Sequence, residues 1–193
     1  YLTHRTSGIY GGMWVAAMNA AAFTLVDVKR IILAGLAQIP ENTRFSEAIH
    51  RTIKWCETDG DWVKTGERIA EHYGYYGFEG TINNACCVVA ALLYGFGDGS
   101  ESADIIYERT ITIAVQLAFD TDCNAATAGS IIGIMVGAAA LPEKWIAPLK
   151  DTLRTCVVEF GTVHISEMAT RTHILSRLIR AQSGEKPIIP QSA

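Results

Sequence analysis

Apolar residues recur along this chain with a helical period, not a strand period. Phe45, Ala48, Ile49, Ile53 and Cys56 show the three- and four-residue spacing that collects them on one helix face. The same pattern predicts helices over 8–24, 27–36, 45–58, 61–72, 81–94, 100–117, 122–140 and 166–182. Asn42 or Thr43 is the candidate cap in "PENTRF", Gly60 breaks the pattern, and Ser100 and Ser166 stand where caps are needed. Between the helices lie a glycine-aromatic loop, "YGYYGFEG", and a turn, "GFGDGS". Pro142 and Pro148 bracket a short piece around Trp145. No run alternates with period two, so no strand is predicted, and no repeat interrupts the pattern. Residues 183–193 read as a tail.

The longest uncharged stretch, "CNAATAGSIIGIMVGAAALP" from Cys123 to Pro142, approaches the length of a membrane span. It is made largely of Ala, Gly, Ser and Thr, which carry little transfer energy, and Asp120 and Asp122 stand directly before it. The pattern therefore predicts a central helix buried on all sides. Other helices carry charged faces, such as Glu67, Arg68 and Glu71, which argues against a membrane bundle.

Composition agrees. The 193 residues, 49% hydrophobic and 19% charged, suit one globular domain with a sizeable core. Twenty-five alanines against 5 prolines favour an all-α class. A net charge of -4 argues against a polyanion-binding surface, so nucleic acid is not an expected partner. The 5 cysteines are odd in number, two are adjacent, and no Cys-x-x-Cys spacing occurs. They read as buried free thiols of a cytoplasmic protein. His50, His72, His164 and His173 show no ligand spacing with one another.

The chemistry concentrates in "AFDTDCNAATAGSIIG", residues 118–133. Asp120 and Asp122 flank Thr121 at the mouth of a helix, and paired carboxylates suit a hard cation such as magnesium. Ala125, Gly129, Gly133 and Gly137 then leave one helix face bare enough for a ligand or another backbone. The same residues also read as a helix cap, an acid at the positive helix end and a close-packing stripe.

"FDTDCNAATAGSIIGIMVG" resembles the carboxy-terminal metal motif of the ADP-ribosylglycohydrolase family, in which Asp-x-Asp-Thr precedes Asn and small residues. "LTHRTSGIYGGMWVAAMNAAAF", "GTINNACCVVAALLYGFGD" and "HISEMATRT" are similar to other family segments, in the same order, so the resemblance spans residues 1–182. It implies a compact orthogonal all-α bundle and hydrolysis of the glycosidic bond between ADP-ribose and an acceptor. It also implies two Mg2+ ions, or Mn2+ in some members, in a central cleft. By the same resemblance Asp120, Asp122 and Cys123 are the metal-site residues, while His4, Asn124 and Gly129 line the ADP-ribose pocket. No catalytic residue is singled out.

Two departures stand out. Cys123 replaces the family's threonine, putting a soft donor where a hard one is expected. The family's Thr-Asp-Asp segment, from its amino-terminal half, is absent; Thr58-Asp59-Gly60 has no second acid. The chain, opening on Tyr1, thus reads as the carboxy-terminal portion of a longer protein, with that missing half as one partner. An ADP-ribosylated protein or a small ADP-ribose conjugate is the other. A non-catalytic relative, serving as a structural or ADP-ribose-binding module, is the competing reading.

Overall fold

The computed structural model describes residues 4–183, which divide after Pro142 into two units. The first unit holds seven helices: α1 Ser7–Ala22, α2 Val28–Leu36, α3 Arg44–Asp59, α4 Trp62–Tyr73, α5 Thr81–Phe96, α6 Ala103–Gln116 and α7 Thr121–Val136. The all-α expectation holds. Three starts are capped by side chains: Asp27 accepts from Arg30 N, Thr43 from Ser46 N and Asp61 from Val63 N, which resolves the choice between Asn42 and Thr43. Gly60, at φ 64°, ends α3 in the left-handed region where a side chain would be strained.

The helix that runs through the middle is α5, which packs on each of the other six. Eleven of its 16 residues are buried. Its close approach to α6 depends on Gly95, where an added Cβ would fall 2.5 Å from Thr110 Cα. A polar network ties α3, α4 and α5 together. Thr65 Oγ1 donates to Asp59 Oδ2 at 3.3 Å and lies 2.9 Å from Tyr94 Oη, and Tyr94 Oη donates to the carbonyl of Cys56. The Asp59 side chain is 1% exposed, against the cations of Arg68 and Lys64, so its charge is paired as burial requires.

Several expectations are corrected. The helix buried on all sides is α5; α7 has only 5 buried residues of 16, because its small side chains bury one face and leave the other open. α7 stops at Val136, where Gly137 takes φ 78°, and 138–140 forms a separate 3-10 turn. Ser102, not Ser100, precedes α6; Ser100 is held in the preceding turn by Asp98. Cys86 and Cys87 are buried, but Cys123 and Cys156 are exposed.

The second unit contains the single turn α8 Glu143–Ile146, strands β1 Thr152–Arg154 and β2 Thr162–His164, and α9 Ile165–Ser183. The antiparallel pair, registered Leu153 opposite Val163, overturns the expectation of no strands; three residues are too few to show a period. Ser166 does not cap α9 but lies inside it. Asp151 supplies the cap, accepting from Ser166 N at 2.8 Å and Ser166 Oγ at 2.6 Å. These bonds hold the Asp151 carboxyl below its ordinary range. No described residue of this unit is buried. Of the tail read from the sequence, 184–193 lies outside the described residues. Among the described residues, no helix is long and apolar enough to cross a membrane.

Candidate metal centre

The acidic pair is built by two left-handed residues. α6 ends at Gln116, and then Ala118 and Phe119 take φ 65° and 59°. Each non-glycine residue in that region costs on the order of 1 kcal/mol, so the surroundings must enforce it. Buried Leu117 on one side and half-buried Phe119 on the other anchor the turn in the core. The turn delivers Asp120 to the N-cap position of α7, where its carbonyl accepts from Asn124 N at 2.9 Å. The sequence reading of Asp122 as the cap is corrected: Asp122 lies inside the first turn, and Asp120, which holds the N-cap position, makes no capping hydrogen bond with its carboxylate. Its side chain is left to the site.

Asp120, Asp122 and Cys123 meet there. One ligand atom from each, two carboxylate oxygens and Sγ, all lie within 4.8 Å of one another. Asp120 is half-buried, whereas Asp122 and Cys123 are exposed. A hydrogen bond to Asp120 holds the Cys123 thiol above its ordinary pKa, with further pushes from desolvation and from the charges of Asp120, Asp122 and Glu79. The acids Asp120, Asp122 and Glu79 thus bring negative charge to the thiol. A divalent cation is the charge that relieves such repulsion, and the carboxylates are acceptable donors to one.

Beneath the cluster sits a residue that the sequence reading passed over. Asn84, in the first turn of α5, donates to the carbonyls of Phe78 at 2.7 Å and Gly80 at 2.8 Å. Its Oδ1 accepts from Asp120 N at 3.0 Å and from Asn124 Nδ2 at 2.8 Å. One amide thus fixes the aromatic loop, the start of α5 and the acidic turn. Asn124, 2% exposed, lies under the site as a strut. Asn83 braces the same loop by donating to Gly77 O at 2.8 Å. Its Oδ1 would be 2.3 Å from a Cβ at Gly80, so Gly80 must stay bare. The available signal was the pair Asn83-Asn84 at the head of an otherwise apolar helix, since buried amides there need partners.

The other expected residues stand apart from the cluster. His4 is exposed, beside a depression of about 510 Å³ that Arg5, Ser7, Tyr76 and Thr81 also line. Gly129 lines a groove of about 650 Å³ with Asn19, Tyr107, Ser130 and Gly133. Its face is not free: an added Cβ would sit 3.1 Å from Ile111 Cγ2 and 3.5 Å from Tyr107 Oη. Tyr107 of α6 therefore covers part of the small-residue stripe. The loop between α4 and α5 reaches both regions, with Tyr76 at the His4 depression and Glu79 in the field at Cys123. Tyr75 and Phe78 of this loop are well exposed, and Tyr75 stacks on Tyr76 with ring centroids 4.3 Å apart.

A family model described as ADP-ribosylglycohydrolase matches residues 1–182. No curated protein and no solved structure matches the chain.

Proposed function

Because the chain belongs to the ADP-ribosylglycohydrolase family, a family of glycohydrolases, we propose that it hydrolyses the bond between ADP-ribose and an acceptor, with Asp120, Asp122 and Cys123 holding divalent cation at the site. The acceptor is a protein side chain or a small ADP-ribose conjugate. The carrying observation is the convergence of the three donors on a turn that Asn84 locks from below.

In this reading the chain contributes the carboxy-terminal part of a two-ion centre of the Mg2+ type, with Mn2+ as the alternative. The other ligands come from a Thr-Asp-Asp segment in an amino-terminal half, which is its partner in the complete site. A bound pair of divalent ions supplies Lewis acidity and orientation at the anomeric carbon, where cleavage develops oxocarbenium character. The turn and Asn84 fix the backbone that carries Asp120 and Asp122 before any ligand arrives. His4 and the Tyr75–Phe78 loop offer a hydrogen-bonding ring and aromatic faces for the nucleotide part.

The test is hydrolysis of an ADP-ribosylated arginine or serine peptide with added Mg2+ or Mn2+. It compares the 193-residue chain with the same chain continued upstream of Tyr1. Activity is expected in the longer protein and should disappear in its Asp120→Ala/Asp122→Ala variant. Activity that survives the double substitution removes these residues from the site. Tight calorimetric binding of ADP-ribose without turnover, in the longer protein, assigns the family member to a binding role instead.

A further inference from the structure

The acidic cluster carries one donor that a magnesium site does not call for. Cys123 Sγ lies within 4.8 Å of the ligand oxygens of both Asp120 and Asp122, so one ion can reach all three. The thiol is exposed, and its residue sits in the first turn of α7, on a backbone fixed through the Asn124 N to Asp120 O hydrogen bond. The position is therefore rigid while the sulfur remains accessible. Cys86 and Cys87, by contrast, are sealed in the core and can serve no ion.

Donor softness decides which ion such a set prefers. Two carboxylates accept any divalent cation. A sulfur donor adds little for Mg2+, which demands oxygen ligands at short, near-octahedral distances. It adds much for Co2+, Zn2+ or Cd2+, which form strong bonds to thiolate and tolerate low coordination numbers. Resting on the divalent-cation reading of this site, we propose that Cys123 is a direct ligand and turns this position into one selective for thiophilic divalent cations over Mg2+. On binding, the S–H bond is exchanged for an S–metal bond and the proton leaves to solvent; no redox change is involved.

The chain itself is the reagent, in a Cys156→Ser background that removes the other exposed thiol. Co2+ titration should raise a near-ultraviolet thiolate-to-cobalt charge-transfer band. Cys123→Ser should abolish that band. Cys123→Thr should lower the preference for Cd2+ over Mg2+ by roughly tenfold or more, the scale on which metal sites respond to a lost partner. Binding of Co2+ or Mg2+ that depends on Asp120 and Asp122, but shows no charge-transfer band and the same Cd2+ to Mg2+ ratio in Cys123→Thr, overturns the thiol ligand and leaves the divalent centre standing. A band that persists in Cys123→Ser also overturns it. Absence of binding by any of these ions in both this chain and the chain continued upstream overturns the centre, and the thiol assignment with it.

Discussion

Helices α5 and α7 look alike as strings of letters and behave differently in the fold. Each is 16 residues long; α5 has no charged residue and α7 has one, Asp122. Yet α5 is surrounded by the other six helices, whereas α7 rests mainly on α1, α5 and α6 with one face open. The difference lies in side-chain size and its placement. α5 carries Ile82, Val88, Val89 and Leu92 on several faces, so burial on every side is rewarded. α7 confines its large apolar groups to its second half, and its first half is Ala, Thr, Cys, Asn and one acid. Lack of charge allows burial; bulk supplies the driving force. The small, partly exposed first half of α7 leaves the Asp122 carboxylate accessible.

The largest expected effect breaks the α5 side of this contrast. Gly95→Val places a branched Cβ at 2.1 Å from Thr110 Oγ1 and 2.5 Å from Thr110 Cα, where backbone cannot yield without moving α6. A loss of about 3 kcal/mol or more is expected in denaturant unfolding, at the upper end for overpacking. An unchanged midpoint would show that α5 and α6 are not locked at this point.

Next comes the link between the two helices. Asn84→Ala removes the bonds to Phe78, Gly80, Asp120 and Asn124 together and strands their polar groups. Stability should fall by about 1–3 kcal/mol. Divalent-cation affinity should fall on the order of 10–100-fold, as expected when a residue supporting metal ligands is lost. Asn84→Asp keeps the acceptor that Asp120 N and Asn124 Nδ2 need, so it should recover part of the stability. Calorimetric metal titration beside chemical denaturation separates the two effects.

The core of α5 also predicts an alkaline limit. Burial pushes the Cys86 thiol up to about 12, and burial with the nearby Asp59 charge does the same for Cys56. Both thiols are neutral in folded and unfolded chains below about 9, so their contribution is fully present there. As pH rises from about 9 toward 12 the unfolded chain ionises first, and stability is lost across that window. Cys86→Ala should flatten the slope of unfolding midpoint against pH in this range. An equal slope in both proteins would place Cys86 outside the core.

Much of the fold was legible in the chain, because amphipathic helices such as α3 and α4 announce themselves by period, and α3 also by its cap Thr43 and the break at Gly60. The error on α7 arose because an uncharged run reads the same whether bulky side chains bury every face or small ones leave a face open. The hairpin around Leu153 and Val163 was invisible, since it rests on hydrogen bonds between backbone groups and spans three residues a side. At the candidate site, spacing points to Asp120 and Asp122 and the resemblance adds Cys123, and the fold brings ligand atoms of all three within 4.8 Å of one another. Asn84 was not, because its role depends on partners up to 40 residues away that only the fold brings together. Likewise, the left-handed turn at Ala118 and Phe119 has no glycine to mark it.

The smallest effect sharpens the reading of the small-residue stripe on α7. Gly133 lies inside the helix, and the nearest atom to an added Cβ is Tyr107 Cε2 at 3.9 Å, an ordinary contact. Gly133→Ala should therefore stabilise by about 0.5–1 kcal/mol, by reducing the freedom of the unfolded chain. Gly129→Ala should gain less or lose, because its Cβ would meet Ile111 Cγ2 at 3.1 Å. If the stripe exists only to seat α6, both variants should bind ADP-ribose as the parent does. If the groove shared by Asn19, Tyr107 and Gly133 receives part of a ligand, Gly133→Ala should be more stable and bind more weakly. That second outcome would make side-chain bulk on this face the variable that sets ligand access against burial of α7.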